Sequence, residues 1–587
     1  MESTERTWGI TGPISVTLPT PAETSASNAL LEELRRQNTF ETAAETRKRE
    51  KVLDDIQRIT DEFVRRVAKK KEPHNAVLIR DARGQVFTYG SYCLGVYGPG
   101  SDIDTLVTAP RYASRAEYFR IFPDLLQELA PPGAITDLVV VEDAHVPIIK
   151  FEYWGISIDL IYSRIATLTQ FPPRGQLQLT NNEYLRGLDE QELRSLNGTR
   201  VTREILNLVP EQSTFRTALR AIKLWAQRRA IYANIVGFPG GVVWAMMVAR
   251  VCQLYPKATS AVIVTKFFIV LKTWPWPVPL QLKKLEDGPL NVRTWNPKVY
   301  NGDAYHLMPV ITPAYPQMCA TYNINHSGLA VIQKELERGA QLTEKIMDSK
   351  LAWKDLFTKH TFFTKDYKYY LAIIATSTTK DAHSKWSGFI ESKVRVLVVD
   401  IERHASIAIA RPFNKKFERQ HQTRNDQETE EVQNGSIRYV VKDEEAPKEN
   451  GAADTNGTSE DQKDKSEAPT EGSRLYTATM YVGLDLAEGA KSLDLSYQVN
   501  KFKKMCNEWK DYREELMFLN VQHVKAANLP DDVFEPGEVK PVRSLKKAGT
   551  NGVAATSQRK RSAPVDGHQP SAKRQHHTTE TTAVPAG

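Results

Sequence analysis

Apolar side chains return at helical spacing early in the chain. Leu30, Leu31 and Leu34 mark one such segment. Val52, Ile56, Ile59, Phe63 and Val64 mark a second and predict an amphipathic helix with one buried face. Residues 11–27, with Pro13, Pro19 and Pro21 among serines and threonines, read instead as an extended leader. From Phe87 to Asp159 the pattern alternates short strands with a helix near Ala116–Leu129, as an α/β layer would. The run Gly155-Ile156-Ser157-Ile158-Asp159-Leu160-Ile161 is a buried strand with one acid embedded in it. Helical periodicity dominates from Thr214 to about Lys350, broken by proline-rich connections at Trp274–Pro279 and Met308–Pro316. Beyond Lys359 strands return at Tyr367–Thr376, Ile407–Pro412, Leu475–Leu484 and Leu519–Val524, with a helix over Trp386–Glu402.

At 587 residues the chain exceeds one hydrophobic core and implies about three domains. Its composition marks out two further segments. From His421 to Arg474 there are 14 acidic and 7 basic residues with few large apolar ones, the composition of a disordered insertion. From Lys540 to Arg574 there are 9 basic residues and one acid, again without a core. Arg559-Lys560-Arg561 and Lys573-Arg574 in this tail have the spacing of a bipartite nuclear-import signal, and equally suit an arm that attracts RNA. Cys93, Cys252, Cys319 and Cys506 are scattered, so neither a zinc site nor a disulfide framework is expected and a reducing compartment fits. The apolar stretch from Ala258 to Leu280 is interrupted by Lys266, Lys272 and three prolines, which argues against a membrane span.

The candidate chemistry lies in three carboxylates. On an extended segment Asp102 and Asp104 leave the same face and invite a divalent cation, because two unshielded carboxylates so close oppose each other's ionisation. Gly90-Ser91, just upstream, suits a phosphate site: glycine permits close backbone approach, serine adds a donor, and Tyr92–Val96 reads as a short helix. Asp159 in its apolar strand needs a partner or a metal. Each feature also has a plain structural reading: a surface-loop Asp-x-Asp, an N-cap serine, a salt-bridged core acid. Phe215, Ala218, Leu219, Ile222 and Ala226 form an apolar stripe, and by periodicity alone Arg216, Arg220, Lys223 and Gln227 beside it form a solvated basic face.

Taken together, Gly90–Leu106 resembles the signature of eukaryotic poly(A) polymerases of the DNA polymerase β-like nucleotidyltransferase superfamily, closest to fungal members. Val146-Pro147-Ile148-Ile149-Lys150-Phe151, Leu196-Asn197-Gly198-Thr199-Arg200, Ala221–Ala226, Gly237-Phe238-Pro239-Gly240-Gly241, Trp295-Asn296-Pro297 and Met308–Pro313 resemble the same family in the same order. The resemblance implies an α+β multidomain protein: an extended leader over 1–27, a nucleotidyltransferase palm domain over 28–212, and a mainly helical central domain over 213–355. It continues with an RNA-recognition-like C-terminal domain over 356–535 carrying the disordered insertion 421–473, then a disordered basic tail over 536–587. It further implies that Asp102, Asp104 and Asp159 are catalytic and bind two Mg²⁺ ions, with Mn²⁺ as an alternative, and that Asp159 activates the RNA 3′-hydroxyl. Tyr89, Gly90 and Ser91 would hold the ATP phosphates, with Asp102, Asp104 and Asp159 also at the nucleotide. Lys223 and Tyr232 would contact the triphosphate, and Asn234, Gly241, Val242 and the nearby Asn197 would line the nucleotide pocket.

Cys93 and Tyr97 depart from the family's usual Arg and His, which would remove one positive charge and one imidazole beside the phosphate site. The C-terminal region lacks the aromatic RNP1 octapeptide, so base stacking on its sheet is not expected. Lys365, Lys368, Lys385, Lys393 and Arg395 are candidates for RNA phosphate contacts, or simply solubilising charges. The expected activity is template-independent transfer of AMP from ATP to the 3′ end of pre-mRNA, by a nuclear monomer recruited to a cleavage and polyadenylation complex, with no membrane partner. A uridylyltransferase-like enzyme and a catalytically silent RNA-binding scaffold are the alternatives.

Overall fold

Three apolar clusters organise the chain, and each has a sequence reason. The computed structural model describes residues 7–288, 290–441, 472–490 and 492–542. The described residues up to Pro541 form one compact unit. The two basic clusters of the tail lie outside the described residues.

Its N-terminal part comprises α1 (Pro21–Arg36), α2 (Ala43–Lys71), α3 (Ala76–Asp81), β1 (Gln85–Thr88), α4 (Gly90–Leu94), β2 (Ile103–Pro110), α5 (Arg115–Leu129), β3 (Ile135–Val141), β4 (Ile148–Tyr153), β5 (Ile156–Ile165) and α6 (Glu190–Asn207). The strands form one sheet in the order β1-β2-β5-β4-β3. Only β2 and β5 pair in parallel. Val52, Ile56, Ile59, Phe63 and Val64 all turn inward, so the helical periodicity of α2 is the face that covers the sheet. Phe63 sits at the centre, edge-on to Tyr118, Phe122 and Tyr162.

The segment expected to be extended as far as residue 27 is helical from Pro21 onward. Thr20 accepts a hydrogen bond from the Glu23 N–H while the Glu23 carboxylate accepts from the Thr20 N–H, a reciprocal cap, and Pro21 in the first turn lacks the N–H that would go unsatisfied there. Leu30 and Leu34 of α1 then pack into the second cluster. That cluster is built by α7 (Gln212–Arg228), α8 (Gly241–Leu254), α9 (Ser260–Lys272) and α11 (His326–Met347), joined by the short α12 (Trp353–Leu356); α10 (Asn301–Ala304) contributes no residue to it. No helix among the described residues is long and apolar enough to cross a membrane.

The C-terminal part runs β6 (Tyr369–Ser377), α13 (Lys380–Glu402), β7 (Ile407–Pro412), β8 (Phe417–Thr423), α14 (Asp426–Gln433), β9 (Ser473–Leu486), α15 (Ser496–Asn507) and β10 (Met517–Lys525). Its sheet order β10-β6-β9-β7, with two helices on one face, is the split β-α-β arrangement of RNA-recognition folds. Alternation along β6 sends Leu371, Ile373 and Ala375 to the helix face and Tyr370, Ala372 and Ile374 to the other. That second face is also covered, by Phe362, Phe363, Phe413, Leu529 and Val533. Its aromatic rings are core, so bases cannot stack on them.

Part of the acidic segment 421–473, expected to be disordered, is ordered. Residues 421–441 are ordered through β8, α14 and a bridge between His421 and Val440, while 442–471 lie outside the described residues. Composition misleads here because the inward positions of β8 are polar: Arg419 makes a two-point contact with Asp532, and His421 Nε2 lies 2.9 Å from Thr477 Oγ1. Buried polar groups with such partners need no apolar signature. Helix α13 likewise starts at Lys380, before the first apolar repeat, because Thr379 accepts from the Ala382 N–H and caps a polar first turn.

Replacing Phe63 with alanine should lower stability by about 3–5 kcal/mol, the cost of an aromatic cavity. Urea denaturation followed by near-ultraviolet circular dichroism would register it as a lower midpoint, with Phe63→Leu much milder.

Candidate active site

The parallel pairing of β2 with β5 places Asp104 directly opposite Asp159. The antiparallel pairing of β5 with β4 places Lys150 opposite Asp159 in turn. A row Asp104, Asp159, Lys150 therefore crosses three adjacent strands, and Lys150 Nζ donates to Asp159 Oδ2 at 2.5 Å. Asp102 immediately precedes β2 and joins the row from its end. Ligand oxygens of Asp102, Asp104 and Asp159 all lie within 4.8 Å of one another. Such a set of hard oxygen donors fits Mg²⁺, which takes carboxylates at about 2.0–2.1 Å. Lys150 lies in one of the family-like segments but carries no role from the sequence, and its partner emerges from strand register.

Gly90 closes the cluster from the other side. The Tyr89 N–H donates to the Asp104 carbonyl at 3.0 Å, and the chain then turns into α4 through Gly90 at φ +61°. A Cβ on Gly90 would stand 2.1 Å from Asp104 Oδ2, so only glycine leaves room for that carboxylate. The short helix covers Gly90–Leu94 rather than Tyr92–Val96, because Gly95 in the left-handed region ends it.

The basic side of α7 is not solvated. Arg216 Nε donates to the Leu94 carbonyl at 3.1 Å, and Arg220 donates to the carbonyls of Gly95 at 2.9 Å and Tyr97 at 2.6 Å. Lys223 Nζ reaches the Val96 carbonyl at 3.4 Å. Four successive carbonyls after α4 are thus gripped by one helix face. Periodicity cannot foresee this, since a charged stripe looks the same whether it meets water or backbone oxygens.

The resulting cavity has a volume of about 910 Å³, and Gly90, Ser91, Asp102, Asp104, Lys150, Asp159, Lys223, Tyr232, Gly241 and Val242 are on its walls. Gly241 and Val242 open α8, whose first N–H groups lack intrahelical partners and favour negative charge. Tyr89, Asn197 and Asn234 are not on the walls. Tyr89 packs behind them, its ring 3.3 Å from where a Cβ of Gly198 would be. Asn197 lies on α6 with a buried Oδ1 lacking a hydrogen-bond partner. Asn234 begins a single 3₁₀ turn beside the start of α8, its Cβ 3.4 Å from where one on Gly240 would be.

Electrostatics mark the same place. Burial, then Asp102 and Asp159, push the Asp104 carboxyl up to about 7, against the opposing pull of Lys150 and Lys223. Burial, then Asp102 and Asp104, push the Tyr232 phenol up to about 12. Burial holds the Lys223 ammonium below its ordinary value. An excess of confined negative charge is what a divalent cation relieves. Cys93 and Tyr97 are not on the cavity walls. Burial pushes the Cys93 thiol up, and Tyr97 lies against Tyr92, with centroids 4.8 Å apart, beneath the Arg49 guanidinium. The expected loss of charge beside the phosphates is therefore not seen at the walls, where Lys150 and Lys223 supply two cations.

Because the Asp104 proton is held more tightly in the folded state, this group's contribution to stability falls as pH rises from about 4 to about 7. In chelator, Asp104→Asn should therefore melt above the wild type at pH 8, by a free energy on the order of a few kcal/mol, and match it near pH 4. Thermal melts across that range would test it; an unchanged difference at both ends would reject the assignment.

Comparison with known proteins agrees with the fold. The poly(A) polymerase nucleotidyltransferase domain model matches residues 9–209, the poly(A) polymerase central domain model 214–359, and the poly(A) polymerase predicted RNA binding domain model 361–543. The chain is 47% identical to poly(A) polymerase pla1 of Schizosaccharomyces pombe, over 95% of this chain and 99% of the relative. It is 45% identical to poly(A) polymerase PAPalpha of Candida albicans, over 92% of this chain and 94% of the relative. Among solved structures, Cid1 in complex with its short product ApU aligns with 57% of this chain and 99% of that one at 13% identity and a TM-score of 0.39, too distant to bear on substrate. With three family domains matched in order and near-complete coverage at close to half identity, the chain belongs to the poly(A) polymerase family.

Proposed function

We propose that the cavity at Asp102, Asp104 and Asp159 is where this poly(A) polymerase, a polynucleotide adenylyltransferase, joins AMP from ATP to an RNA 3′ end. The observation that carries the assignment is the register that sets Asp104 against Asp159, with Gly90 and Ser91 at the same carboxylates. Ser91 and Lys223 bind the triphosphate from one wall, helped by the amino end of α8. Tyr232, whose hydroxyl lies beside Gly241 at the amino end of α8, also contacts the triphosphate, with its phenol kept neutral. The primer's 3′-oxygen attacks the α-phosphorus, the bond to the pyrophosphate oxygen breaks, and the hydroxyl proton passes to the Asp159 carboxylate. Lys150 keeps Asp159 in place through its ion pair and adds positive charge beside the transferred phosphate. Mg²⁺ held by the three carboxylates supplies neutralisation of the charge that develops on the attacking and leaving oxygens; Mn²⁺ suits the same oxygen ligands.

RNA reaches the cavity between the N-terminal and C-terminal parts, read through its backbone rather than by stacking on the covered C-terminal sheet. The basic tail and the family together support work in the nucleus on pre-mRNA 3′ ends, as a monomer within a cleavage and polyadenylation complex.

With an unstructured RNA primer, Mg²⁺ and each nucleoside triphosphate supplied singly, the protein should extend with ATP and hardly with UTP. Asp159→Ala should reduce extension by at least about a thousandfold while keeping the wild-type circular dichroism spectrum. Equal use of UTP would point to a uridylyltransferase, and no extension by the wild type to a silent scaffold. Gly90→Ala should cost at least about a hundredfold, since it displaces Asp104 or the turn by about an ångström; wild-type activity in that variant would contradict the contact between Gly90 and Asp104.

A further inference from the structure

The 3₁₀ turn Asn234–Val236 is tied to the C-terminal part of the chain by a continuous set of contacts. The Asn234 carbonyl accepts from the Gly237 N–H at 3.2 Å and from Asn323 Nδ2 at 3.1 Å. Asn323 is almost wholly buried, and its Oδ1 has no hydrogen-bond partner among the described residues. The turn closes through Gly237 at φ +95°, where a Cβ would stand 3.0 Å from the Asn323 carbonyl and 3.9 Å from Arg395 Cδ of α13. Two residues after Asn323, Asn325 caps α11 through the Gly328 N–H at 2.8 Å. A Cβ on Gly328 would stand 3.0 Å from the Gly237 carbonyl, so the first turn of α11 and the Asn234 turn fit together without slack.

The same first turn of α11 is held from the other side. Glu402, the last residue of α13, accepts from the Ser327 N–H at 2.8 Å and the His326 N–H at 3.4 Å. Ser327 Oγ accepts from the Ala410 N–H of β7 at 3.0 Å. A carboxylate at a helix amino end is favoured by the unpaired N–H groups there. Here that carboxylate belongs to the RNA-recognition-like fold, and the helix leads back through Asn323 to the Asn234 turn, which packs beside the start of α8, where Gly241 and Val242 are on the cavity wall.

We infer that Asn323 is a positioning residue for the nucleotide, and that Glu402 acts through it, so that the placement of the C-terminal fold sets the Asn234 turn and with it the affinity for ATP. The inference rests on the reading of Asn234 as part of the nucleotide pocket. Neither Asn323 nor Glu402 lines the cavity; Asn323 fixes the backbone of the Asn234 turn and Glu402 that of the first turn of α11.

The test uses the full chain, an oligoadenylate primer and steady-state kinetics with ATP and with GTP. Asn323→Ala should raise KM for ATP about fivefold, as expected for one lost hydrogen bond, with kcat changed less than about twofold and ATP preference over GTP reduced. Glu402→Ala should do the same, and Glu402→Gln, which keeps an oxygen for the Ser327 N–H, should restore most of the loss. Asn234→Ala separates the two readings. If it leaves KM for ATP unchanged, the pocket assignment fails and the inference with it; if it raises KM while Asn323→Ala and Glu402→Ala do not, the coupling alone is wrong. Loss of kcat with unchanged KM and unchanged nucleotide preference in the Asn323 and Glu402 variants would also overturn it.

Discussion

Repulsion among three carboxylates is the constraint around which this molecule is arranged. Asp102, Asp104 and Asp159 are brought within 4.8 Å by one parallel strand pair in an otherwise antiparallel sheet. Left alone, such a cluster opposes its own formation, and the Asp104 carboxyl shows it by rising to about 7. Everything that touches the cluster either tolerates or offsets that charge. Lys150 pairs with Asp159, Lys223 stands across the cavity, and Gly90 makes room for Asp104 by having no side chain. The sheet pays for the convergence with a well-packed aromatic layer under it, centred on Phe63.

The loop after Gly90 is held by a second device, the grip of α7 on successive backbone carbonyls. Guanidinium and ammonium groups directed at carbonyls are nearly independent of which side chains the loop itself carries. Cys93 and Tyr97 themselves lie off the cavity walls: one packs against the helical core and the other against Tyr92 and Arg49. The same helix ends at Arg229, whose two-point ion pair with Glu335 and whose carbonyl, taken by Arg411 of the C-terminal fold, join the helical core to its neighbour.

Legibility varied with how a residue is satisfied. Where burial is apolar, as in α2, β5 and β7, pattern and structure coincide. Where burial is polar, pattern fails: Arg419 and His421 of β8 are inside yet look like surface, because Asp532 and Thr477, which satisfy them, are distant in sequence. The leader and the polar first turn of α13 were obscured for a related reason, since capping by Thr20 and Thr379 stabilises segments with no apolar repeat. At the site, Asp102, Asp104, Gly90 and Ser91 were readable as local motifs, whereas Lys150 was not, its meaning lying entirely in the strand opposite.

Sequence alone determined the residue types that the chemistry needs, the three-domain order, the family, and the order in which its segments occur. Those follow from local spacing and from resemblance, which do not depend on knowing what lies across a sheet. Tertiary structure decided which charges meet: that Asp104 faces Asp159, that Lys150 completes the row, that the basic stripe of α7 grips backbone instead of water, and that Asn323 holds the Asn234 turn. Electrostatic and hydrogen-bond partners are set by distance in space, and in this chain the decisive pairs range from Lys150 and Asp159, nine residues apart, to Arg220 and Tyr97, 123 apart.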